Sequence, residues 1–251
     1  MNLLQPDLSL FSLAGKTILV AGASKGIGFA IAEGLALAGA NVVGFGRSVG
    51  CSSTLFKYEQ CDVLDLARFG RLAEDCVQAH GVINGYFHVA GVTVPTNGVL
   101  QDMAAFEDTL RINLTSAYTC CTRVARQMLK QQHGSIVTIT SIGSMLGFPN
   151  NPGYVASKGG LRMMSKALAL DLGKFNIRVN SLVPGYIHTD MTNSSYSDPK
   201  KFTERADRTM LGRWGQANDL IGAAVFLASD ASAYVTGTDL VVDGGWSAKG
   251  L

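Results

Sequence analysis

The chain has 251 residues, of which 47% are hydrophobic and 16% are charged, which allows one large α/β domain with a sizeable core. Its net charge of +2 comes from dispersed basic residues, which gives no indication of a nucleic-acid partner. No uncharged apolar stretch approaches the roughly 20 residues that span a bilayer, so a membrane protein is not expected.

Short β-branched runs alternate with longer helical patterns from Lys16 onward. The predicted strands are 17–21, 41–45, 57–61, 85–89, 135–140, 178–183 and 239–242. The predicted helices are 27–38, 66–79, 102–131 with an interruption near Asn113, 154–173 and 218–227. Continuously apolar strands are typical of a parallel sheet that is buried on both faces. We therefore predict a single Rossmann-type, doubly wound α/β domain over residues 1–251, with a seven-stranded, mainly parallel sheet and helices on both faces.

A glycine-rich turn at residues 22–28 follows the first strand and opens the first helix. Glycines in this position let the backbone turn tightly and approach a pyrophosphate, and the helix N-terminus offers free N–H groups to the phosphates. The turn predicts a dinucleotide site with contacts from Gly22, Ser24, Lys25, Gly26, Ile27 and Gly28.

The end of the second strand indicates which dinucleotide is bound. An acidic residue there would accept from a ribose 2′-OH, whereas a basic one accommodates a 2′-phosphate. This strand ends in Arg47 and Ser48 with no carboxylate nearby, and Lys25 supplies a second cation. These residues favour NADP(H) over NAD(H), although each cation alone is equally compatible with a solvated surface.

Tyr154 and Lys158 are four residues apart, which places a phenol and an ammonium on one helical face, and Ser141 lies thirteen residues upstream. A tyrosine with its ordinary pKa of about 10 is a poor proton shuttle at neutral pH, and a nearby cation lowers that pKa. The spacing alone also fits two surface residues on an amphipathic helix.

Together these residues resemble the short-chain dehydrogenase/reductase family, over about residues 14–248. The glycine-rich turn matches the family pattern TGxxxGxG, with Ala21 in place of Thr. The resemblance implies a catalytic tetrad of Asn113, Ser141, Tyr154 and Lys158. It also implies cofactor contacts from Asp62, Val63, Ala90, Gly91, Pro184, Gly185, Ile187 and Thr189, besides Tyr154 and Lys158.

The family chemistry is hydride transfer between nicotinamide and a carbonyl or alcohol carbon. The resemblance implies that Tyr154 gives its proton to the substrate in reduction, and that Lys158 lowers the Tyr154 pKa and binds the nicotinamide ribose. It also implies that Ser141 hydrogen-bonds the developing alkoxide and that Asn113 holds a water. Two departures stand out. His88 occupies a position where the family commonly has asparagine, and we expect this histidine to have a structural role. Only fourteen residues separate Arg47 from Asp62, which is too few for the helix that the family usually has there.

Two classes of substrate are compatible with this chemistry. A β-ketoacyl reductase would dock an acidic carrier protein with basic residues, but Gln132 and Phe175 occupy the matching positions. A free sugar acid, polyol or ketone fits better, because residues 210–215 and 242–246 look like those of sugar-acid dehydrogenases. Residues 186–215 are polar and are expected to form a lid over the substrate; we call them the lid segment. Four cations in this segment would suit a carboxylate substrate, although they are also compatible with a solvated surface: Lys200, Lys201, Arg205 and Arg208.

The remaining expectations concern assembly and location. The five cysteines and four histidines show no metal-ligand spacing, so no metal site and reduced thiols in the cytoplasm are expected. The resemblance implies a homotetramer, with a dimer as the alternative. A catalytically silent, cofactor-binding regulator is the non-enzyme alternative, which the intact tetrad disfavours.

Overall fold

The sheet is the framework that positions the site. The structure, a computed structural model, describes residues 7–96, 100 and 102–250. Seven strands lie within these residues: β1 (Thr17–Ala21), β2 (Asn41–Gly46), β3 (Lys57–Gln60), β4 (Gly85–His88), β5 (Gly134–Ile139), β6 (Ile177–Pro184) and β7 (Asp239–Val242). They form one sheet in the order β3-β2-β1-β4-β5-β6-β7, and each neighbouring pair is parallel. The predicted doubly wound architecture is confirmed, and these strands are entirely rather than mainly parallel.

Helices cover both faces of the sheet. The α-helices in the described residues are α1 (Gly26–Leu37), α2 (Leu66–His80), α3 (Met103–Leu110), α4 (Ser116–Gln131), α5 (Pro152–Leu172), α6 (Asn193–Tyr196), α7 (Pro199–Arg208) and α8 (Ile221–Ala228). A π-helical turn at Arg111–Thr115 joins α3 to α4, so the predicted interruption near Asn113 is confirmed. The sequence patterns did not predict α6 and α7, which lie in the lid segment.

Each face of the sheet has its own apolar core. On one face α2, α4 and α5 cover Leu19, Phe45 and Tyr86, while α1 and α8 cover Ile18 and Val20 on the other. The alternating residues of β1 thus serve opposite cores, which is why this strand reads as an uninterrupted apolar run. Full burial of each large apolar side chain contributes about 1.5–3 kcal/mol to folding.

The connection between β2 and β3 contains no helix among its described residues, in agreement with the short spacing. Phe56 covers the sheet there instead, with its ring 6.1 Å from that of Phe29 on α1. A Cβ on Gly44 would lie 2.5 Å from the Phe56 ring, so the glycine is required for this packing.

The order of the strands also locates the cleft. β1 and β4 are neighbours, yet the chain continues from β1 toward one edge of the sheet and from β4 toward the other. Ala21 and His88, at the ends of these two strands, are in register. Ligands bind at such a switch point, outside the carboxyl ends of the strands.

Candidate active site

A cleft of about 310 Å³ lies at the switch point. Its walls include every residue predicted to contact a cofactor, together with Ser141, and these come from six strand ends, helix α5 and the lid segment. Residues 112 and 190–192 also line the cleft, and no sequence motif pointed to them. Asn113 lies behind the wall and is fully buried.

The glycine-rich turn forms one end of the cleft. Gly22 has φ +81°, and a Cβ there would lie 2.8 Å from the backbone nitrogen of Ala90. A Cβ on Gly28 would lie 2.1 Å from the carbonyl oxygen of Gly22. Helix α1 begins without a side-chain cap, so its first N–H groups and positive dipole end remain available to an anion. The turn therefore fits a pyrophosphate.

Lys25 and Arg47 both line the cleft, but they differ in their contacts. The Lys25 ammonium lies 2.8 Å from the carboxylate of Asp190, across the mouth of the cleft, and both side chains are largely exposed. This hydrogen bond and the Lys25 charge lower the pKa of Asp190. The backbone at Arg47 is fixed by Gln60, which donates to its carbonyl oxygen at 3.0 Å.

Ser141, Tyr154 and Lys158 meet at the other end of the cleft. Ser141 follows β5, where its hydroxyl accepts from the N–H of Gly143 at 3.0 Å. Burial raises the pKa of Tyr154, and a hydrogen bond with Ser141 partly opposes that rise. The Lys158 nitrogen lies 5.8 Å from the centroid of the Tyr154 ring.

The depressed tyrosine pKa expected from the Tyr–Lys spacing is not observed. The Lys158 ammonium donates to the carbonyl oxygen of Ile139 at 2.8 Å, and burial lowers its own pKa to about 8. Burial is the largest influence on the pKa of the phenol, and Lys158 is not among the groups that shift it. In this structure both groups are displaced toward their uncharged forms, because each is removed from water.

Asn113 fixes one wall of the cleft through the π-helical turn. Its Oδ1 accepts from the N–H of Val92 at 2.8 Å, while its Nδ2 donates to the Val92 carbonyl oxygen and to the Ser157 hydroxyl at 2.9 and 3.0 Å. A Cβ on Gly91 would lie 3.3 Å from Asn113 and 3.4 Å from the Lys158 nitrogen. The Asn113 side chain therefore clamps the loop after β4, and the expected role of this residue in holding a water stays a prediction.

His88 is buried behind this wall and does not line the cleft. Its Nδ1 lies 2.7 Å from the Tyr86 hydroxyl, while its Nε2 has no hydrogen-bond partner in the described structure. Burial, followed by the charge of Lys158, lowers the His88 pKa to about 3. The ring is therefore neutral at physiological pH, and its expected structural role stays a prediction.

The lid segment contributes Tyr186 and Trp214 to a cluster of aromatic rings. The Tyr186 ring lies 6.0 Å from that of Phe148, 5.4 Å from that of Trp214 and 4.7 Å from that of Trp246. Trp214 donates its indole N–H to the carbonyl oxygen of Phe202 on α7 at 3.0 Å, which ties that helix to the cluster.

Comparisons with known proteins place the chain among dehydrogenases. Residues 22–247 match the family described as Enoyl-(Acyl carrier protein) reductase. A 2-dehydro-3-deoxy-D-gluconate 5-dehydrogenase from Dickeya dadantii is 35% identical, with 96% of this chain and 99% of the relative aligned. A gluconate 5-dehydrogenase from Gluconobacter oxydans is 37% identical over 96% of this chain and 97% of its own.

Solved structures agree with these relatives. A gluconate 5-dehydrogenase from Burkholderia cenocepacia in complex with NADP and tartrate has a TM-score of 0.92 and 32% identity, covering 97% of this chain and 99% of its own. Within the described residues, no three His, Cys, Asp or Glu side chains are grouped to hold a metal, and no helix has the length and apolarity to cross a membrane.

Proposed function

Because the chain belongs to the short-chain dehydrogenase/reductase family, as its motifs predicted, and is a nicotinamide-dependent oxidoreductase acting on a small CH–OH substrate, we propose that it interconverts the alcohol and ketone forms of a free sugar acid with NADP(H). The observation that carries this proposal is the meeting of Ser141, Tyr154 and Lys158 at the end of the cleft opposite the phosphate-binding turn.

The chemistry of the chain's own residues follows from their contacts. When bound, NADP(H) supplies or accepts the hydride. Tyr154 gives its proton to the substrate carbonyl oxygen in reduction and takes it back in oxidation. The Ser141 hydroxyl donates to that oxygen as negative charge develops. Lys158 contributes a positive charge beside the phenol and binds the cofactor ribose, and Asn113 keeps the loop of Gly91 in place.

NADP(H) rather than NAD(H) is supported by the residues around the adenosine end of the cleft. Arg47 and Ser48 line it, Asp62 accounts for the adenine contact, and a carboxylate to accept from a 2′-OH is missing after β2. Lys25 contributes once a 2′-phosphate competes with Asp190 for its ammonium. Comparable kcat/KM values with NADPH and NADH would contradict this assignment, and Arg47→Asp should shift the preference toward NADH by at least roughly tenfold.

The substrate is proposed from the relatives that act on gluconate and 2-dehydro-3-deoxy-D-gluconate. The matching family description names a carrier-protein enzyme, which keeps a carrier-bound acyl substrate as the second candidate. Gln132 and Phe175 provide no positive charge for an acidic carrier, so this candidate is less well supported.

A panel of sugar acids, polyols and β-ketoacyl thioesters, assayed with both cofactors at 340 nm, tests the proposal. We expect the highest kcat/KM with a sugar acid. Tyr154→Phe should abolish turnover while leaving the Kd for NADPH within about threefold of the wild-type value, because the ring is retained and only the hydroxyl that carries the proton is lost. Normal turnover by this variant would rule out the proposed role.

Assembly and location are also proposed. A homotetramer, with a dimer as the alternative, is supported by exposed apolar side chains on α4 and α5, where Tyr118, Met163 and Leu170 are 53%, 60% and 84% exposed. A single domain over residues 1–251 is supported by the continuous sheet, and a cytoplasmic location by the free thiols of all five cysteines. Light scattering measures the oligomeric state.

A further inference from the structure

The four lid cations differ in what they contact. The side chains of Lys200 and Lys201 are 86% and 52% exposed, and each has an acidic neighbour on its own helix. Arg208 is exposed and lies over the Trp246 ring. Arg205 is half-buried, and no carboxylate in the described part of the chain lies within ion-pair distance of it. Arg208 also has no carboxylate within that distance among the described residues, so Arg205 differs from it by being half-buried with an unpaired Nε.

The Arg205 guanidinium is held by aromatic rings. Its central carbon lies 4.8 Å from the centroid of Tyr186 and 6.0 Å from that of Trp214. Its Nε is buried without a hydrogen-bond partner, and the one hydrogen bond found for this group among the described residues is a long one, 3.4 Å from Nη1 to the carbonyl oxygen of Lys201. A buried, unpaired donor on a charged group is costly, and the planar guanidinium matches a carboxylate with two parallel hydrogen bonds.

Tyr186 connects this guanidinium to the candidate catalytic residues. It follows Gly185, which lines the cleft, and its phenol contributes to raising the pKa of Tyr154. The Tyr186 ring centroid lies 6.0 Å from that of Phe148, whose ring lies 3.0 Å from where a Gly143 Cβ would be, beside the Ser141 hydroxyl. The Tyr186 ring thus lies against both the Arg205 guanidinium and the aromatic wall beside Ser141, although neither Arg205 nor Tyr186 lines the 310 Å³ cleft itself.

We propose that Arg205 is a specificity-determining residue that binds the substrate carboxylate. The inference rests on the proposed function, because it names the group that a sugar acid has and a polyol lacks. In gluconate oxidised at C5, the carboxyl carbon is four bonds from the reacting carbon, roughly 5 Å along an extended chain. The carboxylate then supplies the acceptor that the buried Nε lacks.

The test compares D-gluconate with D-sorbitol, in which a CH2OH group replaces the carboxylate. Arg205→Met should lower kcat/KM for gluconate with NADP⁺ by roughly 10- to 100-fold, the usual range for a lost charge-assisted hydrogen bond, and should leave the rate with sorbitol within about twofold. Arg205→Lys keeps the charge but not the planar geometry, so it should restore only part of the loss. Lys174→Met removes another cation stacked on an aromatic ring, in the turn after α5 rather than in the lid segment, and should change neither rate.

Binding without turnover separates this inference from the proposed function. Gluconate is titrated calorimetrically into wild type and Arg205→Met with saturating NADPH, a pair of ligands that cannot react. Loss of gluconate binding in the variant, with unchanged NADPH affinity, supports the carboxylate site. This holds even if the wild type does not oxidise gluconate, a result that would contradict the proposed function but not the carboxylate site. Equal losses for gluconate and sorbitol, unchanged gluconate binding in the variant, or no wild-type binding of any sugar acid would overturn the inference.

Discussion

His88 should make the folded protein sensitive to acid, and His88→Asn should remove most of that sensitivity. The folded pKa is about 3, against an ordinary value of 6.5, because the ring is buried next to Lys158. Between these two pH values the unfolded chain binds a proton that the native chain does not, so stability falls as the pH drops below 6.5. At pH 5.0 the loss should be about 2 kcal/mol, since each pH unit below 6.5 contributes about 1.36 kcal/mol.

The measurement is urea unfolding of wild type and variant at pH 7.5 and pH 5.0, at one fixed protein concentration. Each protein is compared with itself, so the loss of the Tyr86 hydrogen bond in the variant cancels, and so do the titrations of all shared groups. His80→Asn, at the exposed end of α2, is the matched control and should keep the wild-type pH dependence. An undiminished loss of stability in His88→Asn would refute the reasoning that burial keeps this imidazole neutral.

Two further substitutions test the ends of the cleft. Gly28→Ala should weaken NADPH binding by at least roughly 100-fold in a fluorescence titration, because its Cβ would lie 2.1 Å from the Gly22 carbonyl oxygen and displace the phosphate-binding turn. Lys158→Met should abolish turnover, yet at pH 7 it should unfold at a higher urea concentration than wild type. Burial lowers the Lys158 pKa to about 8, so the buried positive charge lowers the free energy of unfolding below pH 8, and this cost disappears by pH 10.5. We expect a gain of roughly 2 kcal/mol after allowing for the lost hydrogen bond to Ile139.

The sequence predicted the sheet well because its strands are buried on both faces, and a run such as β1 has few alternative structures. It did not predict α7, although Asp198 caps that helix and Pro199 begins it, because the segment is too polar to show a periodic apolar face. The glycine-rich turn was predictable because its glycines follow one strand and open one helix, whereas the tetrad and most of the cleft lining were expected from the family resemblance.

Contacts between distant segments were beyond the reach of the sequence. Lys25 pairs with Asp190, which is 165 residues away, and nothing local to either residue indicates a partner. Asn113 binds the backbone of Val92 rather than presenting its amide to the cleft, and this depends on how α3 and the π-helical turn pack against the loop after β4. Pairings of this kind are set by tertiary packing, which local propensity does not determine.

The pKa shifts of Tyr154 and Lys158 bear on how the proposed proton transfer begins. Burial raises the pKa of the phenol and lowers that of the ammonium to about 8, so at neutral pH the proton stays on Tyr154 while Lys158 remains mostly charged. A protonated phenol next to a cation is the state required to protonate a carbonyl oxygen, whereas oxidation requires the phenolate. Among the described residues, the hydrogen bond with Ser141 lowers the pKa of this phenol, and in oxidation the charge of Lys158 must act on the phenol more strongly than it does here.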